Sequence, residues 1–440
     1  MVHRQAAIAV SRLLAADASH RKGATLKSLT LAPHIEAKKA TYAVTCQVLK
    51  HLPVLQQLLE RTQLVEGTPG LRLETALVLA CDLLFGERFR GTGPAERAVL
   101  AHKAALTTEL QRLLDAAGVG SVQELLPSAA GATIAARRPR TTRVNTLKMT
   151  VAEALAWLRS PPAGEPQRER WQQLAEVAKV DDLLPDLLVF PPGTDLHDCP
   201  LVAQGCLILQ SKASCMPAHA LAPQPGWQVV DACAAPGNKT THLAALMANR
   251  GTVRAFDKDV ARLRRLQRNA QLAGATAVVA AHADFLTLDP HSQELRGVQG
   301  LLLDPSCSGS GTSVSRMDYL LPSAAARATG AAAVDYCDER VEKLAQFQEA
   351  ALCHALQFPA LQRLVYSTCS LHKRENEEVV AAVLEQASGA GFQLVDPFPG
   401  RWHRRGLAGV VAGAQKLVRT DPEQDGTDGF FVAVFERCPA

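Results

Sequence analysis

Two cysteines carry the most chemical promise in this 440-residue chain. Cys307 lies in LLLDPSCSGSG (301 to 311) and Cys369 in LVYSTCS (364 to 370), each after an apolar run that reads as a buried parallel strand. Each thiol is therefore expected just past a strand's carboxyl end, where open α/β sheets place their ligands. Upstream, WQVVDACAAPGNKTTHLAALMA (227 to 248) has the order of strand, glycine-bearing turn and helix with which such sheets hold a nucleotide-like cofactor. A cysteine is usually a buried, inert thiol, but the polar turn residues Ser306, Ser308, Thr368 and Ser370 argue against that here.

The turn DACAAPGNKT (231 to 240) has one glycine, Gly237, where a dinucleotide fingerprint has three, which disfavours an NAD-linked dehydrogenase. A zwitterionic nucleoside such as S-adenosylmethionine makes a smaller demand, and the small residues Ala234, Ala235 and Gly237 let the backbone lie near its methionine part. Asp257, ending the next strand, is placed to accept hydrogen bonds from ribose hydroxyls, and Asp284, in HADF after the third, from the adenine amino group. Each aspartate taken alone equally suits a helix N-cap.

A thiol beside a methyl donor suits pyrimidine chemistry. Cytosine carbon-5 does not take a methyl group unaided; a thiolate adding to carbon-6 makes it enamine-like. A base must then remove the carbon-5 proton, and elimination frees the thiol. Asp304, three residues before Cys307, can hydrogen-bond the ring nitrogen or amino group as charge develops. On chemistry alone either cysteine could be the nucleophile.

DACAAPGNKT, Asp257, Asp284, DPSCSGSG and YSTCS, in this order and spacing, resemble the Sun-domain family of RNA cytosine-5 methyltransferases, and the Ser-Cys-Ser-Gly form is similar to its fifth member. The similarity runs over roughly residues 140 to 437 and includes RVNTLK (143 to 148), GCLILQSKAS (205 to 214) and DGFF (428 to 431). The resemblance implies a class I S-adenosylmethionine-dependent methyltransferase in which Cys369 attacks and Cys307 assists release of the methylated RNA. It implies cofactor binding by Cys233, Ala234, Ala235, Pro236, Gly237, Asn238 and Lys239 with Asp257, Asp284 and Asp304, with Lys239 also reaching the target base. Ser306 stands where the family's common pattern has a second proline, so the turn that places Cys307 is relaxed. Large-subunit ribosomal RNA, pre-ribosomal particles and the nucleolus within the nucleus follow as expectations. A catalytically idle RNA-binding assembly factor, or transfer RNA as substrate, are the alternatives.

These residues need a scaffold of several units, since 440 residues exceed one core. Residues 1–130 show apolar residues at three- and four-residue steps and read as an α-helical domain. Residues 131–221 read as a linker (127 to 140) leading into a small α+β, RNA-binding unit, with PPAGEPQRER (161 to 170) as a surface loop. From 222 to 440 strands and helices alternate, which implies an α/β, Rossmann-like, mostly parallel doubly wound sheet, closed by an antiparallel edge from FQLVDPF and GFFVAVFER. The low-complexity stretch 320 to 335 reads as a mobile insert and 419 to 429 as a turn-rich loop.

Eleven cysteines without a CxxC pair fit a reducing compartment. The loose set His197, Cys199, Cys206, Cys215 and His219 matches no zinc spacing, so no metal is expected. No apolar run approaches the roughly 20 residues that span a bilayer, so no membrane partner is expected. The first residues, with Arg4 and Arg12, suit an amphipathic helix, with a mitochondrial presequence as the alternative.

The net charge of +4 is mild, so RNA binding rests on local patches. Arg137, Arg138, Arg140, Arg143 and Lys148 form one, and Arg401, Trp402, His403, Arg404 and Arg405 a second in which the indole could stack a base. Arg262, Arg264, Arg265 and Arg268 read as the outer face of a helix. Oligomeric state leaves no trace in the sequence.

Overall fold

A strand buried on both faces must be apolar at every position, and the two runs that precede the cysteines meet that demand. In the computed structural model, which describes residues 1–19, 25–86, 89, 91–126, 130–323 and 335–438, these runs are the strands β8 (Gly300–Leu303) and β9 (Arg363–Thr368) of an eight-stranded sheet. Leu301, Leu303, Leu364 and Tyr366 turn to one core, and Leu302 and Val365 to the other, as the two-residue period of a strand requires.

The chain forms two compact units. The first comprises Met1–Thr133 and takes in the segment that starts at Ser313. Its helices Val2–Ala18, Lys38–Thr62 and Leu73–Phe85 close on Val10, Leu52, Leu55, Leu58, Leu77 and Leu79. The N-terminal helix is a core element, with Ala6, Ala7, Ala9, Val10 and Leu13 buried. After Gly93 come two helices, Pro94–Ala101 and Lys103–Ala117, divided at His102, whose ring Nδ1 lies 2.9 Å from the Ala98 carbonyl. From the insert, Met317 accepts from the Tyr42 hydroxyl at 2.9 Å, and Ser323 bonds Asp17 through both amide and hydroxyl. The remainder of that insert, and with it most of the stretch expected to be mobile, lies outside the described residues, as do residues 127–129 of the expected linker. Ala130–Arg137 of that linker is helical.

The second unit holds two sheets. The smaller, all antiparallel, runs β2 (Lys179–Val180), β3 (Leu187–Phe190), β1 (Arg140–Val144), β4 (Leu207–Leu209), with helices Val151–Arg159 and Arg168–Val177 packed on it through Ala154, Leu158 and Trp171. The second helix begins inside the segment expected to be loop through residue 170, because burial of Trp171 rewards ordering it.

The larger sheet contains β5 (Gln228–Asp231), β6 (Thr252–Asp257) and β7 (Val278–His282), followed in the chain by β8 and β9 and then by β10 (Phe392–Val395), β11 (Val418–Thr420) and β12 (Phe430–Arg437). Its order is β10-β12-β9-β8-β5-β6-β7, with β11 on β12. Pairing is parallel from β9 through β7, whereas β12 is antiparallel to β9 and to β10. The antiparallel strand is thus one place inside the edge. Helices Asp335–Ala355 and Glu377–Gly389 cover one face, and Lys212–Leu221 and Asn238–Leu246 the other. Strand order reverses between β5 and β8, which opens a crevice at their carboxyl ends. Among the described residues no helix is long and apolar enough to cross a membrane.

Candidate active site

The crevice floor is the turn between β5 and the helix Asn238–Leu246. Gly237 has φ +102, a conformation L side chains rarely adopt, and a Cβ there would sit 3.1 Å from the Leu266 side chain. Ala234 and Ala235 are buried beside it. Asp257, buried at the end of β6, accepts from the Ala235 amide at 3.1 Å and the Asp259 amide at 2.9 Å, one on each oxygen. Every carboxylate oxygen has two lone pairs, so each retains capacity for a ribose hydroxyl. Asp284 caps the short helix Phe285–Thr287 by accepting from the Leu286 amide at 3.1 Å and is half-buried. A small-residue cradle with a buried carboxylate beside it fits the methionine and ribose parts of S-adenosylmethionine.

Across the crevice, Asp304 follows β8 and receives two bonds. Lys239 Nζ donates to its Oδ2 at 2.7 Å, and the Ser367 hydroxyl to its Oδ1 at 2.7 Å. Burial pulls the Lys239 ammonium down, but the charge and hydrogen bond of Asp304, with the Cys369 sulfur behind them, hold it above its ordinary value. Asp231, under the turn, is pushed up to about 7, chiefly by burial against the Thr240 hydroxyl it accepts from, with Asp304 and Asp257 adding repulsion.

The loops after β8 and β9 bring Cys307 and Cys369 to a sulfur separation of 3.3 Å. The Gly311 amide donates to the Cys369 carbonyl at 3.0 Å, and the Gly429 amide to the Gly311 carbonyl at 2.9 Å. A Cβ on Gly311 would lie 2.0 Å from the Gly429 carbonyl oxygen, so the DGFF turn and the Cys307 loop touch as bare backbone. The Cys369 thiol beside it, and then burial, push Cys307 well above its ordinary value, which keeps its proton on. The reading from sequence missed Ser367, although it lies two residues before Cys369; a polar residue inside an otherwise apolar run was the available signal.

Several expected RNA contacts are spent inside the protein. Arg143 is fully buried, donating to Gln210 at 3.0 Å and Thr241 at 3.1 Å, because β1 turns it toward the helix Asn238–Leu246 and away from solvent. Trp402 is buried and its indole donates to the Arg419 carbonyl at 2.7 Å, so it stacks no base. Arg401 bonds the Asp182 and Leu183 carbonyls, Arg404 pairs with Asp425, Arg405 with Asp396, and Arg138 with Asp428. Lys148, though exposed, donates to the Gln204 carbonyl at 2.6 Å. Arg137 and Arg140 are exposed, as are Arg264, Arg265 and Arg268. Arg262 is exposed as well, and its guanidinium reaches back to donate to the Ala235 carbonyl, 3.6 Å from Asp257.

Of the loose histidine and cysteine set, His219 meets different partners. It bonds one oxygen of Asp186 at 2.7 Å while His242 bonds the other at 2.8 Å. Against burial, these imidazoles hold Asp186 well below the usual carboxylate range, and burial followed by Arg143 brings His242 down to about 3. The carboxylate thus serves as a bridge between two imidazole N–H donors.

A doubly wound sheet that reverses at a small-residue turn, with a carboxylate-rich crevice where a dinucleotide fold has its glycines, defines a class I S-adenosylmethionine-dependent methyltransferase. Comparison with known proteins narrows this. Residues 218–436 match the family described as 16S rRNA methyltransferase RsmB/F. Residues 39–126 and 138–210 match the N-terminal and ferredoxin-like domains of NOL1/NOP2/Sun domain family member 5. The 25S rRNA (cytosine-C(5))-methyltransferase NSUN5 of Arabidopsis thaliana is 43% identical over 438 residues, covering 99% of this chain and 72% of the relative. The 28S rRNA (cytosine-C(5))-methyltransferase of Mus musculus is 41% identical over 438 residues, covering 98% and 90%. A crystal structure of PH0851 superposes with a TM-score of 0.63 at 22% identity, covering 98% of this chain and 97% of the other, a likeness of fold. The chain belongs to the NOL1/NOP2/Sun family of RNA cytosine-5 methyltransferases, within its member 5 group.

Proposed function

We propose that this protein methylates carbon-5 of a cytosine in large-subunit ribosomal RNA, with Cys369 as nucleophile and Cys307 as the group that releases product. The approach of two thiols beside the Lys239–Asp304 pair carries this reading. S-adenosylmethionine supplies the methyl group as a sulfonium, with Cys233 to Lys239, Asp257 and Asp284 as its binding residues and Asp304 at the edge shared with the base. The target base must leave its stack to enter the crevice.

Lys239 puts a positive charge near enough to the Cys369 sulfur for the two to interact, which is the setting a nucleophilic sulfur needs. The thiolate forms a bond to carbon-6, and the electron pair of the 5,6 double bond becomes the nucleophile that takes the methyl group. Asp304, fixed by Lys239 and Ser367, meets the ring as charge builds on it. A base, with water as the available carrier, takes the carbon-5 proton; the C–H electron pair restores the 5,6 double bond as the sulfur–carbon-6 bond breaks with its pair left on Cys369. Cys307, whose proton is held on, stands within reach of the departing sulfur.

The names of the 41–43% identical relatives support ribosomal RNA as substrate, and hence pre-ribosomal particles and the nucleolus as the setting. The exposed Arg137, Arg140, Arg264, Arg265 and Arg268 are the candidate phosphate contacts. Cys369→Ala is expected to abolish labelled-methyl transfer, and Cys307→Ala to leave a covalent protein–RNA adduct on a denaturing gel. Full activity in Cys369→Ala would sink the assignment. Bisulfite sequencing of large-subunit RNA from knockout and rescued cells tests the substrate; a methylation pattern unchanged by the knockout would refute it.

A further inference from the structure

The two thiols sit on loops from neighbouring strands, 62 residues apart, and something must hold those loops in register. One buried carboxyl reaches both. Glu375, fully buried at the end of the short helix Lys373–Glu375, accepts through Oε1 from the Ser308 amide at 2.7 Å and through Oε2 from the Ser370 hydroxyl at 2.6 Å. Ser308 directly follows Cys307, and Ser370 directly follows Cys369. Gln348 joins the same oxygen, donating to Oε1 at 3.1 Å and to the Ser306 carbonyl at 3.0 Å, so the backbone is gripped on both sides of Cys307. Tyr366 fixes this assembly in turn, its hydroxyl donating to the Glu375 carbonyl at 2.5 Å and lying 3.2 Å from Gln348 Oε1.

We infer that Glu375 is a positioning residue for the methyl-transfer reaction: it sets the separation of the two thiols by bonding both cysteine loops at once. This rests on the proposed thiol chemistry, and it removes the difficulty posed by Ser306. The rigidity a second proline would give is supplied from outside the loop, by Gln348 on the Ser306 carbonyl and Glu375 on the Ser308 amide.

The test uses the full chain and an internal ruler. Diamide takes two hydrogens into its N=N bond while two thiols become one disulfide, and peptide mapping by mass spectrometry times the Cys307–Cys369 crosslink. Glu375→Ala removes every bond of the carboxylate and keeps the Tyr366 bond to the backbone carbonyl; Glu375→Asp keeps the carboxyl but draws it back by one methylene, short of one loop. Glu375→Gln keeps the acceptor toward Ser308 and Gln348, and Ser370 can turn to accept from the new amide. Ala and Asp are expected to slow crosslinking about tenfold or more and to lower kcat by roughly a hundredfold, the scale on which ångström misplacement acts, with the KM for S-adenosylmethionine within about twofold. Gln should restore both.

Crosslinking by the Ala or Asp variant at the wild-type rate would overturn the inference, as would slowed crosslinking with kcat intact or a Gln variant as impaired as Ala. Should Ala fail to fold, Asp decides. Because the ruler needs no RNA, its result is independent of which thiol attacks. A wild-type protein that crosslinks but transfers no methyl group would count against the proposed reaction alone.

Discussion

Ser367→Ala is the sharpest probe of how Asp304 works. The substitution deletes one hydroxyl, fully buried, that donates to Asp304 Oδ1 at 2.7 Å, and leaves the Lys239 bond to the other oxygen in place. A hydrogen bond to a charged group contributes about 1.5–3 kcal/mol. The Asp304 side chain is 25% exposed, so water can partly replace the lost donor, which favours the lower part of that range. A loss of about 1.5–2 kcal/mol in the transition state corresponds to a roughly 10–30-fold fall in kcat. Single-turnover transfer of labelled methyl groups to an RNA fragment, with thermal melting to confirm folding, measures it. The KM for S-adenosylmethionine should change little, since the Lys239 bond still holds the Asp304 carboxylate by its other oxygen. A folded variant within twofold of wild-type kcat would refute the idea that this hydroxyl orients Asp304 for catalysis.

Other consequences can be tested by stability and binding. Asp231 is raised to about 7 in the folded protein from 3.8, so the native state holds its proton where the unfolded chain has lost it. Its contribution, at most about 4 kcal/mol, is present in full below pH 3.8 and is lost as pH rises through 7. Asp231→Asn should flatten the dependence of urea stability between pH 4 and 8; an unchanged slope would show that Asp231 is not responsible. Trp402→Ala should cost about 3–5 kcal/mol of folding stability, as a large buried ring does, and leave intrinsic RNA affinity nearly unmoved. A selective loss of RNA affinity in a stable Trp402→Ala protein would reinstate base stacking. Arg143→Met should leave the salt slope of RNA binding unchanged, whereas Arg140→Ala, at an exposed site, should reduce it by about one; the opposite pattern would contradict the burial described.

What could be read from sequence follows from how strongly each feature is imprinted locally. β8 and β9 are legible because two buried faces demand consecutive apolar residues, and the cysteines beyond them inherit a predictable place. The turn at Gly237 is legible because its backbone excludes larger residues. Arg143 misled because a cation in a basic stretch looks solvated, and only the packing of β1 against a helix nearly a hundred residues later buries it. Trp402 misled in the same way, its indole partner lying on β11. Glu375 and Gln348 gave no signal, since their value lies in bonds to the Cys307 loop, 67 residues from the first and 42 from the second. Composition reports what a residue is, whereas these positions matter for whom they meet.

The place of β12 bears on how the protein is made. The strand that leads into Cys369 has β8 on one side, and on its other side waits for residues 430–437, formed some sixty positions later. During synthesis β9 must therefore spend an interval with a row of unpaired amides and carbonyls along an apolar strand, the kind of edge that recruits other chains. The same late segment brings Gly429 against Gly311. A ribosome that stalls before residue 430 would release a chain whose cofactor turn is complete but whose thiol loops are neither closed nor shielded. Such a product would be prone to aggregation more than to partial activity.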